Sequence, residues 1–153
     1  MPSQSEVLRN RTKSFAVRIL RLFRSLPSRV DAQVIGKQLV RSGTSIAANY
    51  RACCRARSRD EFAARMGVVV EEADESQLWL ELLLESGIMK PQKLAKLQDE
   101  AKQLTAIFTA SYETSHAKKS ITRFTPRNVS RAIARGAGWS SVRIRGSTVF
   151  AVC

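Results

Sequence analysis

Apolar residues recur along this chain at steps of three and four, and those steps divide it into four segments. In the first, Phe15, Ile19, Leu22 and Leu26 follow one another at four, three and four positions. The second runs Ala32, Ile35, Leu39, Ser42, Ile46, Asn49, Cys53 and Ala56, and the third runs Phe62, Met66, Val69, Ala73, Ser76, Leu80 and Leu83. The fourth runs Leu94, Leu97, Ala101, Leu104, Phe108 and Ser111. Alternating steps of three and four hold each set on one stripe of an α-helix. The connections are short and marked by Pro27, Gly87 and Pro91. The pattern predicts an all-α chain, an antiparallel up-down four-helix bundle over residues 1–116.

The segment ends support this. Ser58 followed by Glu61 is a capping-box pattern at the start of the third helix. Gly87 suits a left-handed closure of that helix. Pro27 stops the first helix and Pro91 fits the first turn of the fourth. Gly36, Gly43 and Gly67 fall inside predicted helices, each at a cost of about 1 kcal/mol relative to Ala. The expected return is close approach of a neighbouring helix.

The third helix is apolar around its circumference. Six of the seven residues from 78 to 84 are Leu or Trp, and only Leu80 and Leu83 lie on the stripe. Leu78, Trp79, Leu82 and Leu84 point elsewhere, which predicts a second burial partner: a homo-oligomer interface or, alternatively, cover by the C-terminal tail. Residues 117–153 lose the helical period and hold Pro126, Gly136, Gly138 and Gly146. They read as a basic, irregular and flexible tail, in which Val142 to Ser147 is the one place where a short hairpin fits.

Composition narrows the class. With 153 residues, 44% apolar and 7% aromatic, the chain builds one core and is ill suited to a β-sandwich. The net charge is +13, unevenly placed: residues 1–65 carry 14 basic and 4 acidic side chains, 66–116 carry 4 and 9, and 117–153 carry 8 and none. Such a chain attracts polyanions, nucleic acid above all. No apolar run is long enough to span a membrane, and Met1 to Arg11 lack the apolar centre of a leader peptide. Three cysteines, with Cys53 and Cys54 adjacent, fit a reducing compartment, so a cytoplasmic location is expected.

Candidate chemistry is sparse. A lone histidine, His116, and the lack of a Cys-x-x-Cys spacing predict no metal and no cofactor. His116 reads as a partner of the fourth helix's C-terminal end. Cys53 reads as a buried apolar residue, with a reactive thiol at Cys54, beside Arg51, Arg55 and Arg57, as the alternative. Glu71, Glu72, Asp74 and Glu75 crowd three and four apart, and like charges so placed can raise a carboxylate pKa toward acid–base use. They fit ion pairs with second-helix arginines better. No Ser-His-Asp set or glycine-rich phosphate loop is available, so the chain is not expected to be an enzyme.

Basic stripes remain. Arg51, Arg55 and Arg59 are four apart with Arg57 between them, Lys37 and Arg41 form another such pair, and Arg18 and Arg21 share the outer face of the first helix. Guanidinium forks match phosphate oxygens. With few aromatics to stack on bases, contact is expected to be backbone-led and weakly selective. The candidate nucleic-acid-binding residues are Arg18, Arg21, Arg51, Arg55, Arg57 and Arg59, with RNA favoured over DNA. The competing readings are neutralisation of these arginines by third-helix acids, and a scaffold that docks a partner enzyme.

The run Gly36-Lys37-Gln38-Leu39-Val40-Arg41-Ser42-Gly43-Thr44-Ser45-Ile46-Ala47-Ala48-Asn49-Tyr50-Arg51 resembles the signature of a bacterial four-helix-bundle family. That family is named for reading frames in the intervening sequences of large-subunit ribosomal RNA genes. Arg55-Ala56-Arg57-Ser58, Glu71-Glu72-Ala73-Asp74-Glu75 and Leu78-Trp79-Leu80-Glu81-Leu82-Leu83 agree with it in order and spacing. The resemblance covers about residues 12–116. It implies an up-down bundle assembled as a homopentameric ring. It also implies similarity to the accessory protein of diversity-generating retroelements, a basic pentamer that binds nucleic acid and a reverse transcriptase. Ala52 departs from the family pattern, where many relatives carry an acid, and the tail after His116 has no counterpart in it.

Overall fold

The structure, a computed structural model, describes residues 3–122, 139–144 and 147–152, with side chains as far as residue 117. Four helices follow in order: α1 Gln4–Arg24, α2 Val30–Cys53, α3 Arg59–Glu85 and α4 Pro91–Thr122. The chain divides into two compact units, Met1–His116 and Ala117–Cys153.

Each helix begins and ends where local chemistry allows. Ser3 Oγ accepts the Glu6 N–H at the start of α1 at 3.2 Å. At α3 the Ser58 hydroxyl accepts the Glu61 N–H at 3.0 Å, and Glu61 Oε2 accepts the Arg57 N–H at 2.9 Å. The carboxylate therefore reaches one residue behind the cap and satisfies a second free donor. Gly87, at φ 68°, closes α3. Its N–H and that of Met89 bond the carbonyls of Leu84 and Leu83, each at 3.0 Å. Pro91 opens α4, where a missing N–H costs nothing.

The helices run up and down. α2 packs along both α1 and α3, while α1 and α3 make no close backbone approach to each other and so sit on a diagonal. α4 fills the fourth corner: Arg11 of α1 bonds Glu100 at 2.6 Å, Gln77 of α3 bonds Thr105 at 2.8 Å, and Tyr50 of α2 stacks 5.5 Å from Phe108. Phe15, Ile19, Leu39, Ile46, Met66, Val69, Leu80, Leu83, Leu94, Leu104 and Phe108 form the buried centre.

The buried stripe of α2 differs from the expected one. Gly36, Gly43 and Tyr50 are buried, while Ile35, Asn49 and Ala56 are half-buried. The reason is steric. A Cβ at Gly43 would lie 2.2 Å from Ile19 Cδ1, and one at Gly36 would lie 2.5 Å from Leu26 Cδ1. The two glycines let α1 settle against α2 and turn the α2 stripe toward it. Similarly, Ala63 and Ser115 are buried in place of Phe62 and Ser111, which stay half-buried. The buried Ser42 and Ser76 hydroxyls bond each other at 2.8 Å between α2 and α3, so neither loses its partner on leaving water.

In the second unit, strands β1 (Trp139–Ile144) and β2 (Ser147–Val152) pair antiparallel, with Val142 opposite Val149 and Ile144 opposite Ser147. This is the stretch where the sequence admits a hairpin. The expected flexibility of 117–153 falls largely on residues outside those described. No described helix is long and apolar enough to cross a membrane.

Candidate nucleic-acid interface

α2 ends at Cys53 and α3 starts at Arg59, so five residues make the turn between them. Arg51, Arg55, Arg57 and Arg59 are all exposed around this turn. None of the four guanidinium groups forms an ion pair among the described residues. Asp60 and Glu61 sit in the first turn of α3, where the helix dipole favours acids. Glu61 is held below the ordinary carboxylate range, first by the Arg57 backbone N–H and then by Arg65, with which it pairs at 3.1 Å.

Arg18 and Arg21 belong to a different place. Arg18 is half-buried, Arg21 is exposed, and with Leu22, Ser25, Met89 and Lys93 they line a groove between α1 and the start of α4. Three cations and no carboxylate line this groove. Ile19 lies level with Gly43. Arg51 is therefore about 12 Å further along the bundle axis at 1.5 Å per residue. The six arginines thus form two stations, one at the α2–α3 turn and one on the α1–α4 side. Lys93 was not visible as a site residue in the sequence. Its place beside Arg18 follows from the antiparallel pairing of α1 with α4, which charge spacing within one helix cannot reveal.

Other arginines are committed internally. Arg41 bridges Glu75 and, at 3.5 Å, Glu72, and the Trp79 indole N–H donates to Glu75 Oε1 at 3.0 Å. Glu75 is held below its ordinary range, chiefly by the Arg41 hydrogen bond and secondly by Trp79. That direction suits an ion pair, not a proton donor at neutral pH. Glu71 and Asp74 are exposed, so the acidic cluster splits between two faces of α3.

The apolar belt of α3 is partly used within the chain. Trp79 and Leu84 are half-buried against the core, and Leu82 is half-buried. Leu78 remains 48% exposed, and Val68, nearer the Glu72 and Glu75 edge, is 39% exposed.

No group of His, Cys, Asp and Glu among the described residues is placed to hold a metal. α4 continues six residues past His116, so this ring is not in the terminal turn; it rests 4.3 Å from the ring of Tyr112. Burial pushes the Cys53 thiol up to about 11, while Cys54 caps α2 in solvent.

No curated protein matches the chain. Among solved structures, a crystal structure of a protein of unknown function from the S23 ribosomal protein family of Bacteroides thetaiotaomicron is similar, with a TM-score of 0.67 and 29% identity. The likeness covers 72% of this chain and 99% of that one. The family model of the 23S rRNA-intervening sequence protein matches residues 5–110, from the first turn of α1 into α4. With a match that spans the bundle, the chain belongs to the 23S rRNA-intervening sequence protein family.

Proposed function

We propose that this protein is a non-enzymatic, self-associating bundle that binds nucleic acid, structured RNA in preference to DNA, through phosphate contacts. The observation that carries the reading is the α2–α3 turn: four exposed guanidinium groups within nine residues, none ion-paired among the described residues. The contrast with Arg41, neutralised on the same helix, supports it. Arg18, Arg21 and Lys93 provide a second phosphate station. The family name ties its members to 23S rRNA intervening sequences, which is the ground for preferring RNA. Assembly as a homopentamer through the exposed side of α3 around Leu78, with Trp79, Leu82 and Leu84 adjoining, would multiply both stations by symmetry. The setting is the cytoplasm, where RNA is abundant.

A second reading is a scaffold that docks a partner protein. Val30 and Val34, one turn apart at the start of α2, are 80% and 55% exposed and favour it. Ultraviolet crosslinking in cells, with sequencing of recovered RNA and identification of recovered proteins, separates the two. The RNA-binding reading predicts RNA adducts on peptides spanning residues 51–59. A protein partner retained after nuclease and high salt, with no RNA adduct, would replace it with the scaffold.

A further inference from the structure

Charge is divided between two helices at opposite corners of the bundle. α1 carries six basic residues and one acid. From Met66 to Met89 the chain carries six acids and no base. On α3, Glu71, Leu78 and Glu85 stand seven apart on the outer stripe, with Asp74 and Glu81 beside them, all exposed. None of these four carboxylates forms an ion pair among the described residues. On α1, Lys13, Val17 and Arg24 form an outer stripe of the opposite sign, also exposed, with Glu6 at its N-terminal end. Both stripes place an exposed apolar side chain among the charges: Leu78 at 48% and Val17 at 37%.

The diagonal placement of α1 and α3 keeps these stripes from neutralising each other within one protomer. A symmetric contact between copies would set like against like, α1 on α1 or α3 on α3, which repulsion opposes. We infer that the acidic outer stripe of α3 docks head to tail on the basic outer stripe of α1 of a second copy, with Leu78 and Val17 at the dry centre. This assignment rests on the reading of the chain as self-associating and names the two surfaces that meet. A head-to-tail contact uses two different patches of each protomer and closes into a ring when the rotation between copies allows. It covers the acidic stripe of α3 and the basic stripe of α1 together, so like charge is removed from both faces at once. The α2–α3 turn takes no part in the contact and stays free for RNA.

Sedimentation of the full chain at low and high salt, alone and in mixtures, tests this. The wild type is expected to assemble at low salt and to dissociate at least tenfold more readily at high salt. Lys13→Glu with Arg24→Glu makes both stripes acidic, and Glu71→Lys with Glu85→Lys makes both basic. Each double variant is expected to be monomeric, with wild-type helical circular dichroism, and their equimolar mixture is expected to assemble. A wild type that assembles, with both variants assembling equally well, overturns the surface assignment and leaves self-association standing. A wild type that is monomeric at both salts overturns both. Salt-independent assembly of the wild type overturns the charge pairing even where a variant fails to fold.

Discussion

Arg41 and Arg51 lie ten residues apart on the same helix, and their surroundings make them different objects. At Arg41, α3 presents Glu72 and Glu75 across the groove, and the guanidinium is held between them. At Arg51 the helix is about to end, and the turn adds Arg55 and Arg57 before α3 begins with Arg59. The middle of α2 is thus a structural region, where glycines admit α1 and charges are matched by a neighbour. Its end is a region where four arginines gather with no ion pair among the described residues, Glu61 acting on Arg57 only at longer range. Concentrating like charge works against the compact state, so an arginine cluster of this kind points to an external anion.

The sharpest way to break this contrast is at the packing of the middle region. Leu39→Ala is expected to cost about 2–5 kcal/mol. Gly43→Ala, which forces Ile19 aside, should cost about 1–3 kcal/mol. Both would show as lower denaturant midpoints. The triple variant Arg51→Ala, Arg55→Ala, Arg59→Ala should leave the thermal midpoint unchanged or slightly raised, since it relieves like-charge repulsion, and weaken RNA binding for all sequences alike. Arg41→Ala should do the reverse, with a small loss of stability and unaltered RNA affinity. An Arg41 variant that loses RNA binding as fully as the triple variant would erase the distinction between the two regions.

Acid sharpens the same comparison. Glu75 has a folded pKa below its ordinary 4.5. Its contribution to stability is therefore present above that value and is lost as pH falls through the lowered one. An acid titration of the thermal midpoint should show this loss, and Glu75→Gln should remove part of it. At high pH the sign reverses. Burial raises Cys53 to about 11 and Tyr50 to about 12, so stability holds below the ordinary thiol value of 9.0 and declines as pH climbs toward those raised values. Cys53→Ala should blunt the onset of that decline.

The bundle was legible because its information is periodic. Leu80, Leu83, Leu94 and Leu104 stand at helical spacing, and Ser58, Gly87 and Pro91 mark ends that local geometry enforces. Burial of Tyr50 in place of Asn49 was not legible, because it depends on how closely Gly43 lets α1 approach and on Phe108 arriving from α4. The site was half legible. Spacing placed Arg51, Arg55 and Arg59 together, since they are local. It also placed Arg18 and Arg21 together on the outer face of α1, but not Lys93 beside them, a neighbour created by topology. The fate of Trp79 shows the same limit: its ring is held by Glu75 within the chain, a contact that a count of surplus apolar residues on α3 does not foresee.

The most direct test of the central claim is the dependence of RNA affinity on salt. If the α2–α3 turn neutralises four phosphates, log affinity should fall against log salt with a slope of about −2.8 to −3.6. The Arg51, Arg55, Arg59 triple variant should lose about 2 to 3 of that slope, whereas the Arg41 variant should keep it all. A slope near zero for the wild type, or one that the triple variant leaves unchanged, would contradict the account.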